Sequence, residues 1–275
     1  MSRKKVLITV VTYPLPSRSY DELVCTAGIL ENGQWIRIYP VPLSFLMGQK
    51  SSGKLDSFKY TWLELELNKR TDDFRPESYS PANYDFNDLK IIDRIDTKGN
   101  WYLRKQFCLQ DVYTNFEELI SHSKDPDNKS LATFKPSKIE RLEIEEDTPE
   151  WKDEWIELRK QGDLFSQGSN PEELIPKLPY KFYYRFTDST GKSRRLMIED
   201  WEIGQLYWKC LKGAGGNKDV ALEKIREQYE KSFINKKDIY FFLGTTLQWH
   251  RRRAHNPFVI IGIFYPKKDR QLSLF

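Results

Sequence analysis

Glu31-Asn32-Gly33-Gln34-Trp35-Ile36-Arg37-Ile38-Tyr39 is the stretch on which the reading of this chain turns. In an extended strand Ile36 and Ile38 share one face while Trp35, Arg37 and Tyr39 share the other. Gly33 supplies a short hairpin signal that joins this strand to the β-branched run Glu22 to Leu30. Tyr60 to Asn68 alternates strictly, with Leu63, Leu65 and Leu67 opposite Trp62, Glu64, Glu66 and Asn68. Lys5 to Tyr13, bounded by Pro14 and Pro16, is another strand, and Asp88 to Ile95 a weaker one.

About five strands in the first half is the number expected of a small Greek-key barrel of the OB type. Short helices are expected over Asn100 to Leu109 and Thr114 to Ser121, with Lys138 to Glu145 as a closing strand. Trp151 to Lys160 reads as an acidic amphipathic helix, with Trp151, Trp155 and Leu158 at helical spacing. The second half opens on a hairpin, Tyr180 to Thr187 and Ser193 to Trp201, around Asp188-Ser189-Thr190-Gly191-Lys192. Glu202 to Leu211 and Asp219 to Phe233 read as helices, and Ile239 to Leu243 and Phe258 to Tyr265 as buried strands. The expected fold is therefore a β-rich α+β protein: two OB-like small β-barrels with intervening and appended helices. The expected domains are 1–149, 150–266 and a clamp-binding tail over 267–275, with the boundary in the acidic, polar stretch near residue 150.

The composition is that of a folded, soluble chain: 275 residues, 39% hydrophobic, 31% charged and 14% aromatic. Val6 to Val11 is far too short to span a membrane, and no small-residue cleavage site follows it. Cys25, Cys108 and Cys210 are scattered and lack metal-ligand spacing. They fit buried thiols in a reducing cytoplasm, with nucleoid association as the expected location. No zinc site or phosphate-binding glycine loop is evident, so no cofactor is expected. Net charge is only +4, but residues 236–275 hold eight Lys/Arg against two acids, whereas 140–157 hold nine acids against two bases. The basic excess belongs to the C-terminal end, which suggests a polyanion or an acidic protein surface as its partner; the alternative is solubility.

Gln271-Leu272-Ser273-Leu274-Phe275 resembles, at every position, the peptide that docks on the bacterial DNA polymerase sliding clamp. Leu272, Leu274 and Phe275 are apolar residues that need a partner surface, and Gln271 supplies an amide to fix register. Such a peptide binds at roughly micromolar strength, on the order of −8 kcal/mol. The alternative is that Leu274 and Phe275 fold back on their own core.

Trp35, Arg37 and Tyr39 carry the residue types for base stacking and phosphate contact, and Lys181, Tyr183 and Arg185 repeat the arrangement. Either set is also suited to packing against the other domain. Arg251, Arg252 and Arg253, in a loop between two apolar strands, suit a phosphate clamp, the alternative being a solvated loop, and Arg18 is a further candidate for that surface. Catalytic signals are weak: Glu199, Asp200 and Glu202 are paired carboxylates suited to Mg²⁺, but Asp200 equally suits a helix N-cap and Glu202 a first-turn acid.

Several segments together resemble a bacterial family described as a dual OB-containing domain. They are Tyr13-Pro14-Leu15-Pro16-Ser17, Tyr20 to Gly28, Trp35 to Pro42, Leu196 to Glu202, Phe242 to Thr246 and Asn256 to Gly262. The resemblance implies two OB-like barrels and supplies no activity or catalytic residues. The resulting expectation is a nucleic-acid-associated adaptor or sensor brought to the clamp by its tail, with phage defence or DNA repair as candidate settings. The alternative is a clamp-recruited, Mg-dependent nuclease or other DNA-modifying enzyme.

Overall fold

The computed structural model describes residues 1–13, 15–16, 22–42, 58–151 and 176–268. Two seven-stranded sheets organise them. The first holds β1 (Ser2–Val11), β2 (Leu15–Pro16), β3 (Glu22–Leu30), β4 (Trp35–Pro42), β5 (Thr61–Lys69), β6 (Ser78–Pro81) and β7 (Lys90–Arg94). Strands run in the order β1-β3-β4-β6-β5, and β5 pairs back on β1, so five of them close into a barrel. The β4–β6 step is parallel, with Arg37 opposite Ser78. Expectation and structure differ on the fifth strand. It is the short Ser-Tyr-Ser-Pro segment of β6, which has no apolar alternation to betray it, whereas β7 sits outside the ring on β5.

After α1 (Lys98–Cys108), the second sheet takes up β8 (Val112–Tyr113), β9 (Leu131–Phe134), β10 (Lys138–Glu146), β11 (Tyr180–Thr187), β12 (Ser193–Ile198), β13 (Tyr240–Thr245) and β14 (Phe258–Phe264). Its order is β10-β11-β12-β14-β13-β9-β8. From β10 to β13 this repeats the order of the barrel, including one parallel step where Ile198 meets Ile260. Among the described residues β13 pairs onward with β9 and no pairing joins it to β10. The boundary expected near residue 150 falls inside this sheet: Leu142 lies opposite Tyr184 and Ile144 opposite Phe182. The acidic composition that suggested a linker decorates the solvent side of β10 instead.

Helices α2 (Phe116–His122), α3 (Trp201–Gly213), α4 (Lys218–Arg226), α5 (Phe233–Lys236) and α6 (Leu247–Arg251) complete the chain, with a π-helical turn over Glu227–Ser232 between α4 and α5. Asp200 caps α3 by accepting from Glu202 N, and Asn217 caps α4 by accepting from Val220 N. Among the described residues no helix is long and apolar enough to cross a membrane.

One apolar cluster fills the barrel, including Val6, Ile8, Ile36, Ile38, Leu63 and Leu65. A second joins the two sheets. Leu7, Val10, Ala27, Ile29 and Trp62 on the barrel's outer wall meet Phe242, Ile261 and Phe264. Strand β1 serves both clusters by alternation, Val6 and Ile8 inward and Leu7 outward, and a register shift on β3 between Ile8 and Val10 then turns Val10 outward and returns Val11 to the barrel interior. The sheets approach so closely at α3 that a Cβ on Gly204 would lie 2.3 Å from the ring of Tyr13.

Polar groups are fastened across the same seam. Lys59 Nζ lies 3.1 Å from Asp200 Oδ1 and 3.2 Å from Glu202 Oε2, with both Lys59 and Asp200 buried. Burial alone would favour neutral Lys59, but the two carboxylates outweigh it and hold the ammonium protonated above its ordinary range. Removing Asp200 leaves the buried ammonium with only the more exposed Glu202 carboxylate, so Asp200→Ala is expected to cost about 3 kcal/mol. The double variant Lys59→Met/Asp200→Asn should cost distinctly less than that. Urea unfolding of the single and double variants checks this, and a near-neutral Asp200→Ala would remove the pair from the seam's energetics.

Candidate nucleic-acid interface

Three sets of basic and aromatic residues are candidates for contact with nucleic acid, and the structure separates them by what each cation already touches. Arg37 is 3% exposed. Its Nη1 donates to Ser130 Oγ at 2.7 Å and to Ser78 Oγ at 3.3 Å, and its Nη2 donates to the Ser130 carbonyl at 3.2 Å. Ser130 in turn donates to Glu77 through its N–H and its hydroxyl. Trp35 packs edge-on against Phe242, with ring centroids 5.1 Å apart, and Tyr39 lies under the Arg70 guanidinium. The face expected to point outward is therefore covered at Trp35 and Arg37 by the second unit. Alternation identifies two faces of a strand but not what covers the second.

Lys181, Tyr183 and Arg185 do line the solvent side of β11, but their charge is already matched. Arg185 Nε donates to Glu143 at 2.6 Å, as does Arg195 Nε, and Lys181 reaches Asp147 at 3.3 Å. Arg195 also lies 3.5 Å from the centroid of the Tyr183 ring. The flanking arginines hold the Glu143 carboxyl down at about 2, Arg185 first among them. This face is a self-neutralising ladder of acids and bases with little net attraction for phosphate.

The arginine run behaves differently. Its first residue closes the short helix α6 rather than lying in a plain loop, and Thr246 caps that helix by accepting from Trp249 N. His250 anchors it. Since a carbonyl can only accept, Nε2 carries the proton and donates to Ser123 O at 2.5 Å, which leaves Nδ1 to accept from the Thr245 hydroxyl at 3.0 Å. Burial holds this imidazole below the usual histidine range, in keeping with a neutral ring.

From the barrel side comes the loop after β5. Arg75 Nη2 forks Asp73 at 2.6 Å while its Nη1 donates to Thr245 O at 2.8 Å, so the loop is bolted to the base of α6. Phe74, between them, sits edge-on to His250 with centroids 4.9 Å apart. Arg251 adds a bond to Asp72 O at 2.9 Å.

A cavity of about 600 Å³ opens between these parts, with Phe74, Lys124, Asp125, Arg251 and Arg253 among its lining. Lys124, Arg251, Arg252 and Arg253 are all exposed, and among the described residues none of them pairs with a carboxylate. Asp125, on the rim, is engaged by Asn128 Nδ2 at 3.4 Å. Beside the cations lie two exposed rings, Phe74 at 43% and Trp249 at 50%, with the Arg252 guanidinium 5.7 Å from the Trp249 centroid. Net positive charge beside open aromatic faces suits a strand of nucleic acid.

Sequence reasoning found the arginines but missed Lys124, Phe74 and Trp249. Trp249 stands two residues before Arg251 and was within reach. Phe74 is a lone apolar residue in the charged loop Asp72-Asp73-Phe74-Arg75, and only the fold brings it to α6.

The remaining candidates do not join this site. Asp200 is 1% exposed, and its two oxygens take Lys59, Glu202 N and Ile263 N. The capping role is the one realised, and the proposed carboxylate pair for Mg²⁺ loses a ligand to an ammonium. Among the described residues no group of three or more His, Cys, Asp or Glu is placed to hold a metal ion. Arg18, the tail Gln271–Phe275, and Trp155 and Leu158 of the expected acidic helix lie outside the described residues.

The profile of a family described as a domain of unknown function (DUF8757) matches residues 112–275. The chain belongs to that family. A second profile, also described as a domain of unknown function (DUF8758), matches residues 2–110. The division falls where the first sheet gives way to the second, and the DUF8757 match includes α6 and runs through the Gln271–Phe275 segment. No curated protein matches the chain. Among solved structures, a murine DNA-binding protein bound with double-stranded DNA is 7% identical, over 97% of this chain and 95% of that one. Its TM-score of 0.32 is too slight a likeness to carry an argument.

Glu199 stands apart from its acidic neighbours. It is half-buried, and burial alone pushes its carboxyl up to about 7 from an ordinary 4.5. Between those values the folded chain keeps a proton that the unfolded chain releases, so stability falls as pH rises through this window and stays lower above it. Glu199→Gln should therefore be nearly neutral at about pH 5 and stabilising by about 2 kcal/mol at about pH 8. Thermal unfolding at both pH values checks the sign.

Proposed function

We propose that this chain is a nucleic-acid-associated adaptor built from two OB-like modules, touching DNA or RNA at the α6 tip and recruited to the bacterial sliding clamp by Gln271–Phe275. The observation that carries the nucleic-acid part is the cluster of cations without carboxylate partners among the described residues: Lys124, Arg251 and Arg253 line one cavity, and Arg252 stands between the two arginines in sequence. Among the described residues the other candidate bases, Arg37, Lys181 and Arg185, are spent on internal contacts. The OB-like reading is supported by the closed five-stranded barrel and by the same strand order running from β10 to β13.

The clamp part is supported by the pentapeptide itself, in which two leucines and a phenylalanine follow a glutamine in the docking pattern. Burying such side chains in a partner's hollow contributes about 1.5–3 kcal/mol each, enough for a reversible, roughly micromolar contact. Recruitment of this strength concentrates the tip near DNA without fixing it there.

Two measurements test the parts separately. Anisotropy titrations of a labelled oligonucleotide at several salt concentrations should show binding that weakens with salt. Replacing Arg251, Arg252 and Arg253 by Ala should flatten the slope of log K against log salt by about 2–3, at roughly 0.7–0.9 per lost phosphate contact. An unchanged slope removes the tip from the interface. For the tail, immobilised sliding clamp should capture the intact chain, while Leu274→Ala/Phe275→Ala should lose capture at least tenfold, about 1.4 kcal/mol. Equal capture of both chains would dismiss the peptide.

A further inference from the structure

We infer that the strand taken at the α6 tip is single-stranded, with its bases laid against Trp249 and Phe74. This inference rests on the proposed reading of the tip as a nucleic-acid contact and specifies which form of nucleic acid it accepts. Cations alone would not distinguish the forms, because duplexes and single strands both present phosphates. The rings do. In a duplex the base faces are stacked on one another, and only edges and phosphates reach the surface. A side chain that offers a flat face therefore gains little from a duplex and much from a base already out of its stack.

Both rings offer such faces. Trp249 is 50% exposed and Phe74 43% exposed, and each is held in place rather than loosely displayed. Trp249 belongs to the capped helix α6, which is pinned through His250 to Ser123 and Thr245. Phe74 stands between the two members of the Asp73–Arg75 fork and meets the His250 ring at an interplanar angle of 75°. Neither lies on a strand of either sheet, so the site is distinct from the barrel surfaces. Phe74 comes from the first unit and Trp249 from the second, so a strand touching both would cross the seam, with its phosphates toward Arg251, Arg252, Arg253 and Lys124.

The test compares anisotropy titrations of a labelled single strand and the matching duplex, using the full chain and the variants Phe74→Leu, Trp249→Leu, Trp249→Phe and Arg252→Ala. Leucine keeps apolar bulk without a flat face, and thermal unfolding verifies that each variant folds. The expected result is tighter binding of the single strand by the full chain. Each Leu variant should lose roughly fivefold to a hundredfold for that strand with little change for the duplex. Trp249→Phe should recover much of the loss, and Arg252→Ala should weaken both forms. Equal affinity for the two forms with silent ring variants would overturn the inference while leaving the cationic contact intact. Failure of the full chain to bind either form at low salt would instead overturn the underlying reading.

Discussion

Phe242 and Phe264 pressed against the outer wall of the barrel form the contact on which the other features depend. They meet Leu7, Val10, Ala27 and Ile29, so the barrel wall that would otherwise face water becomes the floor of a second core. Each such side chain contributes about 1.5–3 kcal/mol when fully buried. A barrel severed from its partner would thus expose an apolar surface large enough to demand another cover. Once the two cores are joined, the polar seam has a fixed geometry to work with. Arg37 can reach Ser130, Lys59 can reach Asp200 and Arg75 can reach Thr245 only because the sheets are already in register.

That rigidity gives the tip its shape. Phe74 arrives on a loop from the barrel and Trp249 on a helix from the second sheet, and nothing in their sequence separation relates them. Phe74 reaches the His250 ring through the Asp73–Arg75 fork, and Trp249 stands one residue before that histidine on the helix its bonds pin down. A site assembled from two units in this way stays open to solvent without being loose, because the groups behind it are buried even where the groups in front are exposed.

Local pattern made the strands legible and left their partners illegible. The alternation at Leu63, Leu65 and Leu67 and the apolar run through β14 both announced buried strands, and the helix over α3 showed a candidate cap at Asp200, whereas the Asn217 cap of α4 was not anticipated. The barrel's fifth strand, Ser78–Pro81, was hidden because four residues ending in proline carry no period. The unit boundary was misjudged for a related reason. Acidic composition marks a solvated surface, and β10 has one, yet Ile139, Leu142 and Ile144 point the other way into the core. Arg37 shows the same limit at the site: strand geometry put it on the face opposite Ile36, and only the docking of the second unit turned that face into an interior.

Net charge is a poor guide to where this molecule would attract a polyanion, because pairing decides what remains. Arg185, Arg195 and Lys181 present three positive groups, nearly as many as the tip, but Glu143, Glu145 and Asp147 answer them within hydrogen-bonding reach. The field of such a ladder cancels within a few ångströms of its surface, well inside the roughly 8 Å over which physiological salt lets a charge be felt. At α6 no carboxylate among the described residues answers Arg251, Arg252 or Arg253, so their fields add. A phosphate approaching the ladder must break an existing pair to be bound, whereas one approaching the tip displaces only water and counterions. The excess of bases near the C-terminal end thus becomes informative only after the paired ones are set aside, and what is left lies beside the two open rings.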